Sequence, residues 1–199
     1  SATEKLDVNG NVKANGFKVA NGTPTQALRA DGGTFDLNTK ADKGLNIKIT
    51  TPSNWVTGTI SETQVLRIEI PANSISDNSF LNMPILYLSK IGTNSNMNIK
   101  GKLSTSPTMP SGITDVIFGF TNIGNTIQSF GMERIFIISE GLIKGFPFLQ
   151  SPYSSSAGNA SSFSSKSFDR TVTNYLYVSI QLGNTADQAR LEGMQLTNS

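Results

Sequence analysis

The chain has neither histidine nor cysteine among its 199 residues. It therefore cannot form a Ser-His-Asp triad, use a cysteine nucleophile, or bind a metal ion through imidazole or thiolate. Disulfide bonds are excluded as well, so stability has to come from packing or from oligomerisation. Any catalysis would rest on carboxylate, lysine or tyrosine side chains. We expect a non-enzymatic protein with no cofactor and no metal site.

Charge and long apolar runs are also scarce. Charged residues make up 15% of the chain, hydrophobic residues make up 37%, and the formal net charge is +2. A charge this small, without a cluster of lysine and arginine, argues against nucleic acid as a partner. No apolar run approaches the ~20 residues of a membrane span, so we expect no membrane insertion. Ser, Thr, Asn and Gly fill the remainder, which is common in extracellular and viral β-proteins.

From Leu45 onward the hydrophobic pattern is typical of β-strands. Apolar and polar residues alternate over 65–70, 97–103 and 175–182. A period of two with one apolar and one polar face predicts half-buried antiparallel strands. No segment has the pattern of a three-turn amphipathic helix. The sequence therefore predicts an all-β protein.

Other segments predict strands of a different kind. Residues 85–88, 116–120 and 135–138 are continuously apolar, as expected of strands covered on both faces, and in an oligomer a neighbouring subunit could supply the second cover. Residues 190–196 predict a closing strand with a bulge at Gly193. Together these segments predict an antiparallel, jelly-roll-like β-sandwich of about eight strands.

The N-terminal segment has a short repeat of turns. Asn-Gly pairs recur with a step of six residues, at Asn9-Gly10, Asn15-Gly16 and Asn21-Gly22. Asn-Gly is a strong turn signal because both residues tolerate positive φ. The short pieces between the turns would be marginal alone, but identical chains wound around one axis could bury their apolar residues. The alternative is a pair of ordinary hairpins folded onto the main domain.

Between the repeat and the strands lies a connector. Residues 25–30 could form one helical turn before Gly32-Gly33 ends it. We place the boundary after Gly44, with residues 1–44 as a shaft or linker and residues 45–199 as a β-sandwich head.

The N-terminal sequence resembles that of a known family. Residues 6–17 read LDVNGNVKANGF, residues 22–32 read GTPTQALRADG, and residues 36–39 read DLNT. These segments resemble a linker in tail-fibre and receptor-binding proteins of phages and prophages of Bacteroidetes and related bacteria. The resemblance covers about the first fifth of the chain. It implies a virion protein, a homotrimer with a short β-turn shaft, and a head that contacts a bacterial surface glycan or protein.

The longest irregular stretch, residues 150–169, is the first candidate binding site. Aromatic rings could pack on sugar C–H surfaces, and Asn, Lys and Arg could bind hydroxyl groups. The candidate residues are Tyr153, Asn159, Phe163, Lys166, Phe168 and Arg170. The alternative is a solvated loop whose phenylalanines pack into the core. Trp55 is a further candidate, either as a sugar platform or as a core or interface anchor.

Carboxylates raise one enzymatic alternative. Polysaccharide hydrolases use paired acids about 5 to 9.5 Å apart, and the acids in the apparent head loops are Asp115, Glu133, Glu140 and Asp169. Sequence does not bring any two of them together. We expect a fibre head that binds a host receptor, with a structural fibre or decoration protein that contacts other virion proteins as the alternative, and a hydrolase as the weakest.

Overall fold

The computed structural model describes residues 26–28, 34–36, 45–112, 115–145 and 164–199. The predicted Asn-Gly shaft at residues 6–22 lies outside them. Contacts along the chain divide it into two units, Ser1–Ala41 and Asp42–Ser199. In the first unit, β1 (Gln26–Leu28) pairs antiparallel with β2 (Thr34–Asp36). The predicted helical turn at residues 25–30 is therefore wrong, because this segment is extended and pairs with the strand that follows the Gly pair.

The second unit is built from strands, and no helix of the described residues is long and apolar enough to cross a membrane. Its strands are β3 (Asn46–Ile49), β4 (Val56–Thr57), β5 (Thr63–Ile70), β6 (Ser79–Ile91), β7 (Met97–Ser104), β8 (Val116–Ile123), β9 (Ser129–Ser139), β10 (Leu142–Gly145), β11 (Ser164–Ser167), β12 (Asn174–Leu182) and β13 (Gln188–Asn198). The all-β prediction is confirmed.

These strands form two antiparallel sheets. The larger sheet has the order β11-β10-β9-β6-β13-β3, with β4 also paired to β13, and the smaller sheet has the order β5-β12-β7-β8. Without β4, β10 and β11, each sheet holds four strands in the order of a jelly roll. The predicted jelly-roll-like sandwich is confirmed.

The core lies between the two sheets. Along β9, the residues Phe130, Met132, Arg134, Phe136 and Ile138 are buried, and their neighbours in between are mostly exposed. Phe136 meets Phe118 of β8 with ring centroids 6.1 Å apart, and Phe130 meets Phe120 edge-on at 4.7 Å. These contacts join the sheets face to face, and each fully buried side chain of this size contributes about 1.5–3 kcal/mol.

Two irregularities shape the larger sheet. The pairing of β13 with β6 shifts between Leu191 and Gly193, which confirms the predicted bulge at Gly193. The pairing of β6 with β9 shifts between Met83 and Leu86. Pro84 falls in this second shift, at a position where a missing N–H is tolerated.

One end of the sandwich is held by a buried ion pair between Lys90 of β6 and Asp187, which precedes β13. The Asp187 carboxylate lies 3.2 Å from Lys90 Nζ and accepts hydrogen bonds from the backbone and side chains of Asn94 and Ser95. Burial opposes ionisation of Asp187, but these hydrogen bonds outweigh it and hold the pKa well below its usual range. A Cβ at Gly92 would overlap the carboxylate, so glycine permits this contact.

Candidate functional site

Three of the six candidate residues in or next to the irregular stretch 150–169 lie within the described residues. Tyr153, Asn159 and Phe163 lie outside the described residues. Lys166 does not belong to an irregular loop, because it lies on β11 and pairs with the carboxylate of Asp115. Its ammonium group is therefore already bound within the chain.

Phe168 and Arg170 follow β11 in a tight connection. Phe168 is 1% exposed and packs into the core, so the prediction that its ring contacts a ligand is wrong, and the alternative of a core phenylalanine is correct. Arg170 is half-buried, and its carbonyl accepts a hydrogen bond from the Asn73 N–H at 2.7 Å. A shallow depression of about 280 Å³ borders residues 167–171.

Trp55 lies apart from Lys166, Phe168 and Arg170. It directly precedes β4, next to β13, and the Arg190 guanidinium lies 4.6 Å from the centre of its half-buried ring. In the larger sheet, β13 and β11 are separated by β6, β9 and β10. Trp55 and Lys166 therefore lie toward opposite edges of the sheet and do not form one site.

Three of the four candidate hydrolase acids are engaged separately. Asp115 pairs with Lys166, Glu140 with Lys144, and Asp169 with the backbone and hydroxyl of Thr171. The hydrogen bond from Lys144 lowers the pKa of Glu140, and those from Thr171 lower the pKa of Asp169. A general acid for glycoside hydrolysis needs a raised pKa. Within the described part of the chain, no three acidic side chains could together hold a metal ion.

The outer face of the larger sheet carries several exposed apolar side chains. Six large side chains on β6 and β9 are between 38% and 64% exposed. Ile91 lies at the end of β6, and the other five are Phe80, Ile85, Tyr87, Ile135 and Ile137. If each full side chain has about 200 Å² of surface, these five expose roughly 500 Å² together. The largest apolar patch on a typical monomer covers about 300–600 Å² and is often functional. We call this surface the apolar face.

Strand register explains how these side chains come together. Phe80 of β6 stands opposite Ile137 of β9, and Tyr87 stands opposite Gly131. Alternate residues of a strand point to the same side, so Ile135 lies beside Ile137, and Ile85 lies beside Tyr87. The sequence predicted residues 85–88 and 135–138 to be covered on both faces. Within one chain they are covered on the inner face only.

Glycines set the shape of the surface around Tyr87. A Cβ at Gly131 would lie 2.8 Å from the Tyr87 ring, so the ring rests directly on the backbone of β9. On the other side of Tyr87 stands Gly193 of β13, which has no side chain to fill the row. A depression of about 330 Å³ opens there, lined by residues 48–50, 85, 87 and 192–195. We call it the Gly193 depression.

Charged and polar groups border this depression. Lys48 lies on β3, and the Glu192 carboxylate accepts a hydrogen bond from Arg190 Nε at 2.8 Å. The hydrogen bonds from Arg190 and then Ser89 lower the pKa of Glu192. Glu192 is therefore ionised at neutral pH, next to an exposed tyrosine.

The outer face of the smaller sheet is polar and is covered by the chain itself. Glu62 accepts from Lys102 at 2.7 Å, Lys100 at 3.0 Å and Ser179 at 2.7 Å. Residues 105–112 lie across this face, because Tyr177 donates to the Ser106 carbonyl and Lys102 to the Pro110 carbonyl. Alternation predicted Tyr177 and Ser179 on a polar face, but the sequence did not show that they are buried.

One cation lies inside the sandwich. Arg134 is 8% exposed and lies over the Phe120 ring at 5.1 Å, and its Nε and Nη2 have no hydrogen-bond partner within the part of the chain that is described. Burial lowers the pKa of Arg134 to about 10, against the opposing attraction of Glu133. The group stays protonated at neutral pH, and its enclosed position leaves it out of any surface site.

The apolar face and the Gly193 depression were missed by the sequence analysis. The available signal was the continuous apolar runs at 85–88 and 135–138, whose second face needs a cover. Comparison of this chain with protein-family models, with curated proteins and with solved structures gave no match.

Proposed function

We propose that this chain is a non-enzymatic adhesion module, the head of a trimeric phage fibre that attaches to a receptor on the bacterial surface. The observation that carries the proposal is the apolar face, because its roughly 500 Å² of exposed apolar side chain matches the largest patch of a typical monomer, which is often functional. The resemblance of residues 6–39 to phage-fibre linkers supplies the context.

A second copy of the chain is the proposed occupant of the apolar end of this face, around Phe80, Ile135 and Ile137. A stable protein interface buries about 800 Å² per partner, and by the same measure these three side chains would supply roughly 300 Å² of it. In a homotrimer, three heads would bind together and turn weak single-site contacts into strong adhesion, because binding at the first site raises the effective concentration at the others.

The structural alternative uses the same face for a different partner. If the face mainly contacts other virion proteins, the chain would be a fibre or decoration protein without a receptor-binding role. The apolar composition of the end around Phe80 and Ile137 favours protein contact and is compatible with this alternative.

Two measurements test the proposal. Sedimentation equilibrium of the full chain is expected to give about three times the 21.3 kDa of one chain. Fluorescently labelled protein is then incubated with a panel of Bacteroidetes strains, and saturable binding to at least one strain is expected. A monomer would contradict the trimer, and a trimer that binds none of the strains would favour the structural alternative.

A further inference from the structure

The Gly193 depression has a definite origin in the fold. Tyr87 of β6 and Gly193 of β13 face each other across the larger sheet, at the bulge that displaces β13. Because Gly193 has no side chain, the surface falls away between Tyr87 and β3. A Cβ at this position would meet the Ile49 carbonyl oxygen at 3.0 Å, so even alanine would be tight here.

The size of the depression suits a small ring. Its volume of about 330 Å³ lies at the lower end of the range of about 300–1,000 Å³ that ligand pockets occupy. It is open to solvent along one side, so one unit of a longer polymer could enter while the rest of the polymer remained outside.

The walls combine one aromatic ring with hydrogen-bonding groups. Tyr87 is 54% exposed, and its contact with Gly131 restrains the ring before a ligand arrives. Lys48, Glu192 and Gln195 line the opposite side, and the Gln195 amide also donates to Asn46 Oδ1 at 3.4 Å. An aromatic face packs on the C–H surface of a sugar, while carboxylate, ammonium and amide groups bind its hydroxyl groups as acceptors and donors.

Glu192 is held in place to act as an acceptor. Arg190 Nε donates to its Oε1 at 2.8 Å, and the same guanidinium lies over the Trp55 ring. A carboxylate offers about four lone-pair positions, so it can still accept hydrogen bonds from ligand hydroxyls. Trp55 is the only tryptophan of the chain, and its contact with Arg190 makes its fluorescence a reporter for events at Glu192.

We infer that the Gly193 depression binds one pyranose unit of a glycan, with the sugar ring on Tyr87 and its hydroxyls on Glu192, Gln195 and Lys48. The inference rests on the proposed function only for the source of the glycan, which would be the bacterial surface. Charges of both signs on the rim favour a neutral or amino sugar. They disfavour a second copy of the chain, because the cores of protein interfaces are depleted in charge.

The test uses the full-length chain and a panel of free sugars comprising glucose, galactose, mannose, N-acetylglucosamine and N-acetylgalactosamine. Saturation-transfer NMR detects binding, and titration followed by Trp55 fluorescence gives the Kd. Binding of at least one sugar is expected in the millimolar range. Tyr87→Ala and Glu192→Gln are each expected to weaken it about tenfold.

The control is Tyr175→Ala, which removes a half-buried tyrosine from the outer face of the smaller sheet. Its Kd should equal that of the unchanged chain, and thermal melting should show that all three variants fold. Absence of binding to every sugar, or equal binding by Tyr87→Ala, would overturn the inference. It would also be overturned if Tyr87→Ala and Glu192→Gln reduced only self-association, because the occupant would then be a second copy.

Failure of this inference can be told apart from failure of the proposed function. Bacterial binding by a chain that binds none of the sugars leaves the fibre head in place and removes the sugar site. Sugar binding that Tyr87→Ala abolishes, in a chain that binds no bacteria, keeps the sugar site and removes the proposed adhesion.

Discussion

The two outer faces of the sandwich differ in whether the chain itself covers them. On the smaller sheet, residues 105–112 lie across the strands, and Glu62 joins Lys100, Lys102 and Ser179 in one polar network. On the larger sheet, β6 and β9 leave the five side chains of the apolar face exposed. The first face is completed within the chain, whereas the second presents the kind of surface that other molecules bind.

The largest expected effect is a loss of folding stability when the polar network on the smaller sheet is disrupted. Glu62→Ala would leave the Lys102 ammonium group, whose side chain is 2% exposed, without its counterion. Removing one partner of a buried pair costs about 3–5 kcal/mol, and we expect a loss near the lower value because Glu62 is partly exposed and Lys102 keeps the Pro110 carbonyl. Urea unfolding followed by circular dichroism measures the change.

Glu62→Gln is the companion variant, because the amide keeps the hydrogen-bonding shape without the charge. It should lose less stability than Glu62→Ala. Equal stability of Glu62→Ala and the unchanged chain would show that the network does not stabilise this face.

A second prediction tests the exposed face. Ile135→Lys places a charge in the apolar face, where the side chain is 64% exposed. Folding stability should change by no more than about 0.5 kcal/mol, as is usual for surface positions, whereas the trimer should dissociate because a buried unpaired charge opposes assembly. Sedimentation velocity measures the oligomer, and urea unfolding at low protein concentration measures the stability.

Gln64→Lys is the control for this prediction, because it adds the same charge to an exposed position on the smaller sheet. It should leave the oligomer intact. If both variants dissociate the oligomer, or neither does, then the two faces do not differ in the way proposed.

The smallest expected effect is on the pH dependence of folding stability. It is expected from Glu62 on the smaller sheet and not from the apolar face. Burial opposes ionisation of Glu62, but the hydrogen bonds from Lys102, Ser179 and Lys100 outweigh it, so the pKa lies below its ordinary value of 4.5. An acid whose pKa is lowered by folding stabilises the folded state at pH values above its unfolded pKa. That stability is lost as the pH falls below 4.5 and through the folded pKa.

The unchanged chain should therefore lose more stability than Glu62→Gln between pH 5 and the acid limit of folding, as measured by thermal melting in a series of buffers. Ile135→Lys should follow the unchanged chain. A parallel decline in the unchanged chain and Glu62→Gln would mean that Glu62 contributes nothing to the acid sensitivity.

Much of the fold followed from local pattern. The alternation over 97–103 and 175–182 predicted β7 and β12, because a strand half-buried in a sandwich needs a period of two. The bulge at Gly193 was also predicted. The helical turn at residues 25–30 was wrong, because pairing with β2 overrode a local pattern too short to define a helix.

The site was harder to predict than the fold. Phe168 was predicted in the irregular stretch 150–169, but it is a core residue. Trp55 and Lys166 are kept apart by three intervening strands. The Gly193 depression depends on Tyr87 and Gly193, which lie more than a hundred positions apart in the sequence. Local pattern cannot report which residues become neighbours across a sheet.

The sequence alone determined that the protein is all-β, that its strands have defined inner faces, and that histidine and cysteine chemistry is excluded. These properties follow from composition and from the period of single strands. The tertiary structure decided which outer face the chain covers. Glu62 and Ser179 meet across 117 positions, and such contacts follow from strand order and register. The same order and register leave the apolar face exposed and place Tyr87 beside a glycine.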